Sequence, residues 1–328
     1  MKTEIKTTDT VIIGAGFAGL YLSLILSSYK YKDFLLIAPD KKTVSDKSYY
    51  NFRSRGIRQE SLKSSMIKAG KKKCNHQLVN VMSKNIDNEL TYLSLVTRLR
   101  ASYLGVQVVK PKAFLKKLRK KSEQKRMYDE IVKIRKNKNI ITIKTTKETI
   151  NCKKLIFCCG GNRSNFSKSF NDEKTSFNMF KIAQKIGCRV KSTNKIMYHP
   201  FYSKGLCIPS DDLFGSNIIN KKGDRLKKTY HLIEAHNAHH CFEEIAKEFK
   251  GKQCYAVKNN VKTPLNVEPH YTLGGIKINK NGQTNIKNVY ALGECSFGMH
   301  GHGRIGGCSL SEIVVMARII AKKICSLE

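Results

Sequence analysis

The chain alternates short, wholly apolar runs with longer amphipathic stretches, as expected of strands buried on both faces and separated by helices. Thr10 to Ile13 is such a run; it flows into Gly14-Ala15-Gly16-Phe17-Ala18-Gly19, and a helical pattern continues to about Tyr29. A second buried strand is predicted at Phe34–Ala38, and an amphipathic helix after Ala69-Gly70. From 105 to 154 the pattern reads as a strand, a basic helix over 111–126, strands at 130–135 and Ile140–Thr145, and a hairpin partner. Leu155 opens another apolar run that ends at Gly160-Gly161, and a helix is predicted over 180–187. The last core strand is predicted at 288–292, followed by Gly293-Glu294 and by a helix beginning near Ser309. Strands alternating with helices in this order predict a doubly wound α/β sheet.

The glycines carry the first chemistry. Gly14 permits a tight turn, Gly16 lets backbone approach a pyrophosphate, and Gly19 lets the helix pack closely on the strand. The helix N-terminus, with Ala15 and Ala18 on it, then stabilises the anion. G-x-G-x-x-G alone is a weak signal, but here it has a strand before it, a helix after it and a second strand about 20 residues on. An acidic residue normally ends that second strand to bind ribose; Ala38-Pro39 stands there, with Asp40 just beyond. Near the other end, His270 precedes Gly274-Gly275, where backbone can approach a ring closely. Glu294 closes the last strand and can accept hydrogen bonds from sugar or ribitol hydroxyls. Arg304 lies between Gly303 and Gly306-Gly307, with little bulk to shield its guanidinium, just before a helix containing Ser309 and Leu310. A cation held among glycines at a helix start is suited to an anion.

These pieces together resemble the FAD-binding ends of the family of succinate dehydrogenase flavoproteins, fumarate reductases and aspartate oxidases. That family reads H-x-x-x-G-G, then a strand with G-E, then H-G-A-N-R-x-x-x-N-S-L. Here the last piece is His300-Gly301-His302-Gly303-Arg304 with Cys308-Ser309-Leu310, so His302-Gly303 replaces Ala-Asn and Cys308 replaces Asn. Gly160-Gly161 is similar to the second glycine signature of such flavoproteins, usually A-T-G-G. The loop 45–59 has Ser54-Arg55-Gly56-Ile57 where the succinate dehydrogenases have Q-G-G-I, and it lacks their histidine that bonds FAD. The resemblance therefore implies non-covalent FAD and is closest to aspartate oxidase. It implies one FAD-binding, Rossmann-like domain built from residues 1–198 and 270–328, with a small α+β cap inserted at 199–269. By that resemblance the cap is expected to be shorter than usual and the C-terminal helical domain of aspartate oxidases to be missing.

The resemblance also implies a reaction: hydride transfer between FAD and a small dicarboxylate or amino dicarboxylate. Arg304 would grip one carboxylate, His199 and His270 would bind and polarise the other, and Ser210 would add a hydrogen bond. Asp211 would accept from a substrate ammonium, favouring aspartate over succinate. The family's proton-transferring arginine, in a cap motif resembling P-R-D, has no counterpart. His236, His239 and His240 stand where it should fall, and Arg225 is the other candidate. Met197 and Phe201 replace the usual Gln and Thr. Three outcomes stay open: an aspartate oxidase-like enzyme serving pyridine nucleotide synthesis, a fumarate reductase or succinate dehydrogenase-like one, and a flavoprotein that only binds or carries electrons. An electron acceptor is the further partner implied.

Composition adds limits. The 328 residues suffice for one large or two ordinary domains. No segment has the roughly 20 consecutive apolar residues of a membrane span. Met1 to Asp9 is short and charged and runs into a strand, so a cytoplasmic chain is expected, with its 11 cysteines reduced. The formal charge of +36 could steer anions or attract nucleic acid or acidic membrane. Lysines scattered everywhere, with many Ile and Asn, point instead to biased amino-acid usage, and nucleic acid is not the expected partner. His236, His239, His240 and Cys241 match no recognised zinc spacing, so no metal is expected.

Overall fold

A computed structural model describes residues 5–39, 50–53, 59–97, 105–108, 111–121, 125–166, 175–208, 210–234 and 238–326. At its centre is a five-stranded, all-parallel sheet in the order Val289–Ala291, Lys154–Phe157, Thr10–Ile13, Phe34–Ala38, Lys125–Tyr128. Parallel strands covered on both faces need apolar side chains throughout, and Val11, Ile12, Leu36, Ile37, Leu155, Ile156 and Phe157 are buried. The helix Phe17–Ser28 is buried along residues 17–26 because it packs both on the sheet side and against the last helix, Cys308–Ile324. The helices Gln59–Ala69, His76–Thr97 and Pro111–Lys121 complete that layer. A second sheet, Ile5–Thr7, Thr149–Cys152, Ile140–Thr145, Ile131–Asn137, pairs parallel at its first junction and antiparallel at the rest.

The basic helix predicted over 111–126 stops earlier. Its described turns are Pro111–Lys121, and Lys125–Tyr128 is instead the edge strand of the central sheet, paired with Leu35 to Ala38. Lysine-rich sequence suits either fate; the partner strand decides. Other boundaries move by a few residues: the predicted 180–187 helix is Thr175–Lys185, the 130–135 strand is Ile131–Asn137, and the last helix starts at Cys308.

A five-stranded antiparallel sheet, Leu206–Cys207, Ile196–Ser203, Val261–Thr272, Cys254–Lys258, Asn217–Asn220, carries a separate apolar cluster. Phe201, Phe242, Ile245, Phe249 and Leu265 form its centre, with Phe242, Ile245 and Phe249 contributed by the helix Ala238–Phe249. Two of its strands, Ile196–Ser203 and Val261–Thr272, run past positions 199 and 269, where the cap's limits were predicted, and form a paired stalk towards the central sheet. Their register slips twice. Met197 pairs with Tyr271 but Tyr198 with Pro269, which leaves His270 as the extra residue of a bulge. The second slip falls between His199 and Tyr202, around Pro200, which has no N–H to give the ladder.

Candidate functional site

The glycine turns and helix starts named above meet at the carboxyl ends of the strands Thr10–Ile13, Lys154–Phe157 and Val289–Ala291, where an open α/β sheet takes its ligand. Gly14 follows Ile13 with φ +113°, and a Cβ there would lie 2.2 Å from the Cys158 carbonyl oxygen. Gly19 is as tightly confined, 1.9 Å from the Gly14 carbonyl oxygen. Gly16 is different: it caps the helix Phe17–Ser28 without any side-chain hydrogen bond, and nothing lies within 4 Å of its Cβ position. The first-turn amides therefore open onto free space beside Ala15, as a pyrophosphate requires. Gly293 sits 3.3 Å from the Ala18 methyl by the same measure, so the end of the Val289–Ala291 strand closes onto that first turn. The helix Cys308–Ile324 begins at Gly307, also without a side-chain cap, with Ser309 and Leu310 half-buried on its first turn. These features fit a dinucleotide such as FAD.

Glu294 does more than await a hydroxyl. Its Oε1 accepts from the Thr272 backbone N–H at 2.8 Å, and a Cβ on Gly161 would lie 1.9 Å from the same oxygen. Thr272 Oγ1 in turn accepts from the Asn162 N–H at 2.6 Å. The Gly160-Gly161 turn, the stalk strand and the Gly293-Glu294 turn are thereby locked together. The short helical turn Arg163–Asn165 follows directly and brings Arg163 close enough for its charge to act on His270.

The stalk places the predicted anion-binding residues side by side. His199 is buried and its Nδ1 accepts from the Phe201 backbone N–H at 3.1 Å. Its ring centre is 4.8 Å from that of His270, whose Nδ1 lies 2.9 Å from the Tyr202 hydroxyl. Cys207 Sγ is 3.7 Å from His199 Nε2. Burial, then the neighbouring His199, Arg304 and Arg163, push the His270 pKa well below its usual value, so the ring is neutral near pH 7. Burial also pushes the Cys207 thiol up to about 12, against the pull of Arg304 and Arg163, so it stays protonated.

Arg304 is not open, as its glycine neighbours suggested; only 6% of it is exposed. Tyr271 covers it, with the guanidinium carbon 4.4 Å from the ring centre. Nη1 donates to the Ile305 carbonyl at 3.1 Å, while Nε is buried with no hydrogen-bond partner among the described residues. Neither acidic candidate pairs with it: Glu294 binds Thr272, and Glu312 binds His300 Nε2 at 2.8 Å and the Ser296 hydroxyl at 3.1 Å. Burying a cation with no counter-charge among the described residues is costly, so the residue is poised to gain from an anion.

Ser210 and Asp211 stand on the short turn Ser210–Leu213, but their side chains lie outside the described residues, as do Asp40, Gly56, Ile57 and the side chains of the cluster at 236–241. Arg225, a candidate for the missing cap arginine, is exposed and stacks on Tyr230 at 3.5 Å. Sequence reasoning missed Arg163, Tyr202, Cys207 and Tyr271. Only Arg163, directly after a glycine pair and Asn162, left a local trace. Among the described residues no cluster of metal-ligating side chains occurs, and no helix is long and apolar enough to cross a membrane.

Residues 220–310 match the family described as FAD binding domain. The L-aspartate oxidase of Clostridium perfringens is 26% identical over an alignment covering 95% of this chain and 85% of that protein. The fumarate reductase flavoprotein subunit of Haemophilus influenzae is 39% identical, but over 30% of this chain and only 18% of its own length. In three dimensions the chain is similar to the flavoprotein of Escherichia coli quinol fumarate reductase, with a TM-score of 0.81 at 18% identity, covering 98% of this chain and 70% of that one.

Proposed function

Since the chain is similar to FAD-dependent oxidoreductases, L-aspartate oxidases and fumarate reductase flavoproteins among them, we propose that it holds FAD non-covalently and oxidises L-aspartate to iminoaspartate. Bound FAD supplies the two-electron chemistry, accepting a hydride from the substrate carbon. FAD would be held by Gly14, Ala15, Gly16, Ala18 and Gly19 at the pyrophosphate, by Gly160 and Gly161, by Gly293 and Glu294, and by the Ser309 and Leu310 turn. Asp40, Gly56 and Ile57 complete that proposed set.

The observation that carries the reading is the meeting of His199, His270 and Arg304 in one buried wall beside the glycine turns. One guanidinium and two neutral imidazoles are suited to carboxylates: the cation grips bidentately and the rings donate N–H groups without demanding a proton. Held this way, a substrate has few orientations, and much of the barrier can be met by positioning alone. Ser210 adds a hydrogen bond in this account, and Asp211 accepts from the substrate ammonium, as an amino dicarboxylate requires. The amine must also lose a proton as the hydride leaves carbon, and a nearby carboxylate or neutral imidazole can take it. Residues 199–269 act as the cap over this wall.

A second reading, reduction of fumarate or oxidation of succinate, is favoured by the 39% identity to a fumarate reductase subunit over its matched segment. Incubating the holo-protein with L-aspartate and either oxygen or fumarate as acceptor separates the two. Iminoaspartate hydrolyses to oxaloacetate and ammonia, so both should accumulate together. In a parallel incubation with succinate in place of L-aspartate, succinate consumption without ammonia would favour the second reading, and the absence of both outcomes would leave a flavoprotein that only binds or carries electrons.

A further inference from the structure

The two stalk histidines are fixed by different partners, and the difference assigns a role to a tyrosine outside any motif. For His199 the matter is closed by the backbone. A peptide N–H can only donate, so Nδ1, 3.1 Å from the Phe201 nitrogen, must present a lone pair and the ring proton sits on Nε2. For His270 the partner is the Tyr202 hydroxyl at 2.9 Å, which can either donate or accept. A phenol O–H is a stronger donor than a neutral imidazole N–H, and an imidazole lone pair is a stronger acceptor than a phenol oxygen, so the hydroxyl donates to His270 Nδ1 and leaves His270, like His199, with its proton on Nε2. Tyr202 is only 3% exposed, so no bulk water competes for this hydroxyl.

We infer that Tyr202 is a positioning residue: its hydroxyl holds His270 as an Nε2–H donor matched to His199, so that the pair presents two N–H groups to one substrate carboxylate. This rests on the dicarboxylate reading for its substrate but not for its geometry. The bulge at His270 and the proline-centred slip at Pro200 are what bring Tyr202 and His270 within reach across the two strands, since Tyr202 pairs in register with Asn266. A histidine whose orientation and tautomer are set by a second residue binds a fixed acceptor more tightly than one left to sample both forms.

The test is a long-range 15N–1H spectrum of histidine-labelled holo-protein, with His270 assigned by its loss in His270→Gln. The expected spectrum shows His270 protonated at Nε2 alone. In Tyr202→Phe it should show both tautomers, with a roughly 5–10-fold rise in KM for the dicarboxylate, little change in kcat and full flavin content. Tyr198→Phe, on the exposed side of the same strand, should change neither. A wild-type spectrum with the proton on Nδ1 would overturn the inference even if the variant fails to fold. So would an unaltered His270 spectrum in Tyr202→Phe. Absence of any dicarboxylate turnover would instead count against the proposed reaction, because the spectrum is read without substrate.

Discussion

Replacing Arg304 with alanine separates an anion anchor from a loop brace. In the protein without substrate the guanidinium gains a stacking contact with Tyr271, worth about 0.5–2 kcal/mol, and one hydrogen bond to Ile305, worth about 1 kcal/mol. Against these stands the desolvation of a buried cation whose Nε has no hydrogen-bond partner among the described residues, a cost of similar size. Folding stability should therefore change by no more than about 2 kcal/mol. A hydrogen bond to a charged carboxylate contributes about 1.5–3 kcal/mol, so kcat/KM should fall by roughly 10–100-fold, with most of the loss in substrate binding. Arg304→Lys keeps the charge but not the planar fork and should remain clearly impaired. Flavin content, thermal midpoint and steady-state kinetics are measured together on the same preparations. If flavin and stability collapse while the surviving holo-protein turns over normally, the residue braces the loop and the anchor assignment is wrong.

The glycine turn offers a paired test. Gly14→Ala should cost well over 2 kcal/mol and yield little folded protein, because φ is +113° and the Cys158 carbonyl fills the Cβ position. Gly16→Ala has open space and an ordinary φ of −72°, so it should fold with nearly wild-type thermal stability as apoprotein yet bind FAD at least about tenfold more weakly. Equal FAD affinity in the two folded proteins would contradict the pyrophosphate assignment. On the acid side, Asp129 is held at a pKa of about 2: burial works against this, but hydrogen bonds from Thr145, Thr146 and the Lys147 and Glu130 amides outweigh it. A depressed carboxylate stabilises the fold above its unfolded pKa near 3.9 and loses that contribution as pH falls towards 2. Asp129→Asn should therefore be destabilised at pH 6, with the gap to wild type closing below about pH 3 in denaturant titrations; a constant gap would refute the linkage.

What could be read from the chain alone was local. Gly14, Gly16 and Gly19 announce themselves because strand, turn and helix are contiguous, and the H-x-x-x-G-G and G-E pieces share that property. That His199 and His270 act together was implied only by the family resemblance; no local pattern shows it, since their contact depends on two strands far apart in sequence and on two register slips. Pro200 lies at one slip and Pro269 at the other, but a proline alone does not say which residue bulges. Arg304 was expected to be open because its sequence neighbours are small, yet Tyr271 covers it from another strand. Arg126 looked helical because lysine and arginine runs favour helices, and only pairing with Leu36 turned it into strand. Tyr202 and Cys207 belong to no motif and become visible only once the stalk is folded.

The central claim is that this wall presents an amino dicarboxylate to FAD. Adding L-aspartate to oxidised holo-protein without oxygen and following the visible flavin band tests it most directly. The account predicts bleaching in proportion to flavin, slowed or abolished in Arg304→Ala, and reoxidation when fumarate or oxygen is admitted. A flavin that stays oxidised with L-aspartate at saturating concentration, whether or not succinate reduces it, contradicts the claim.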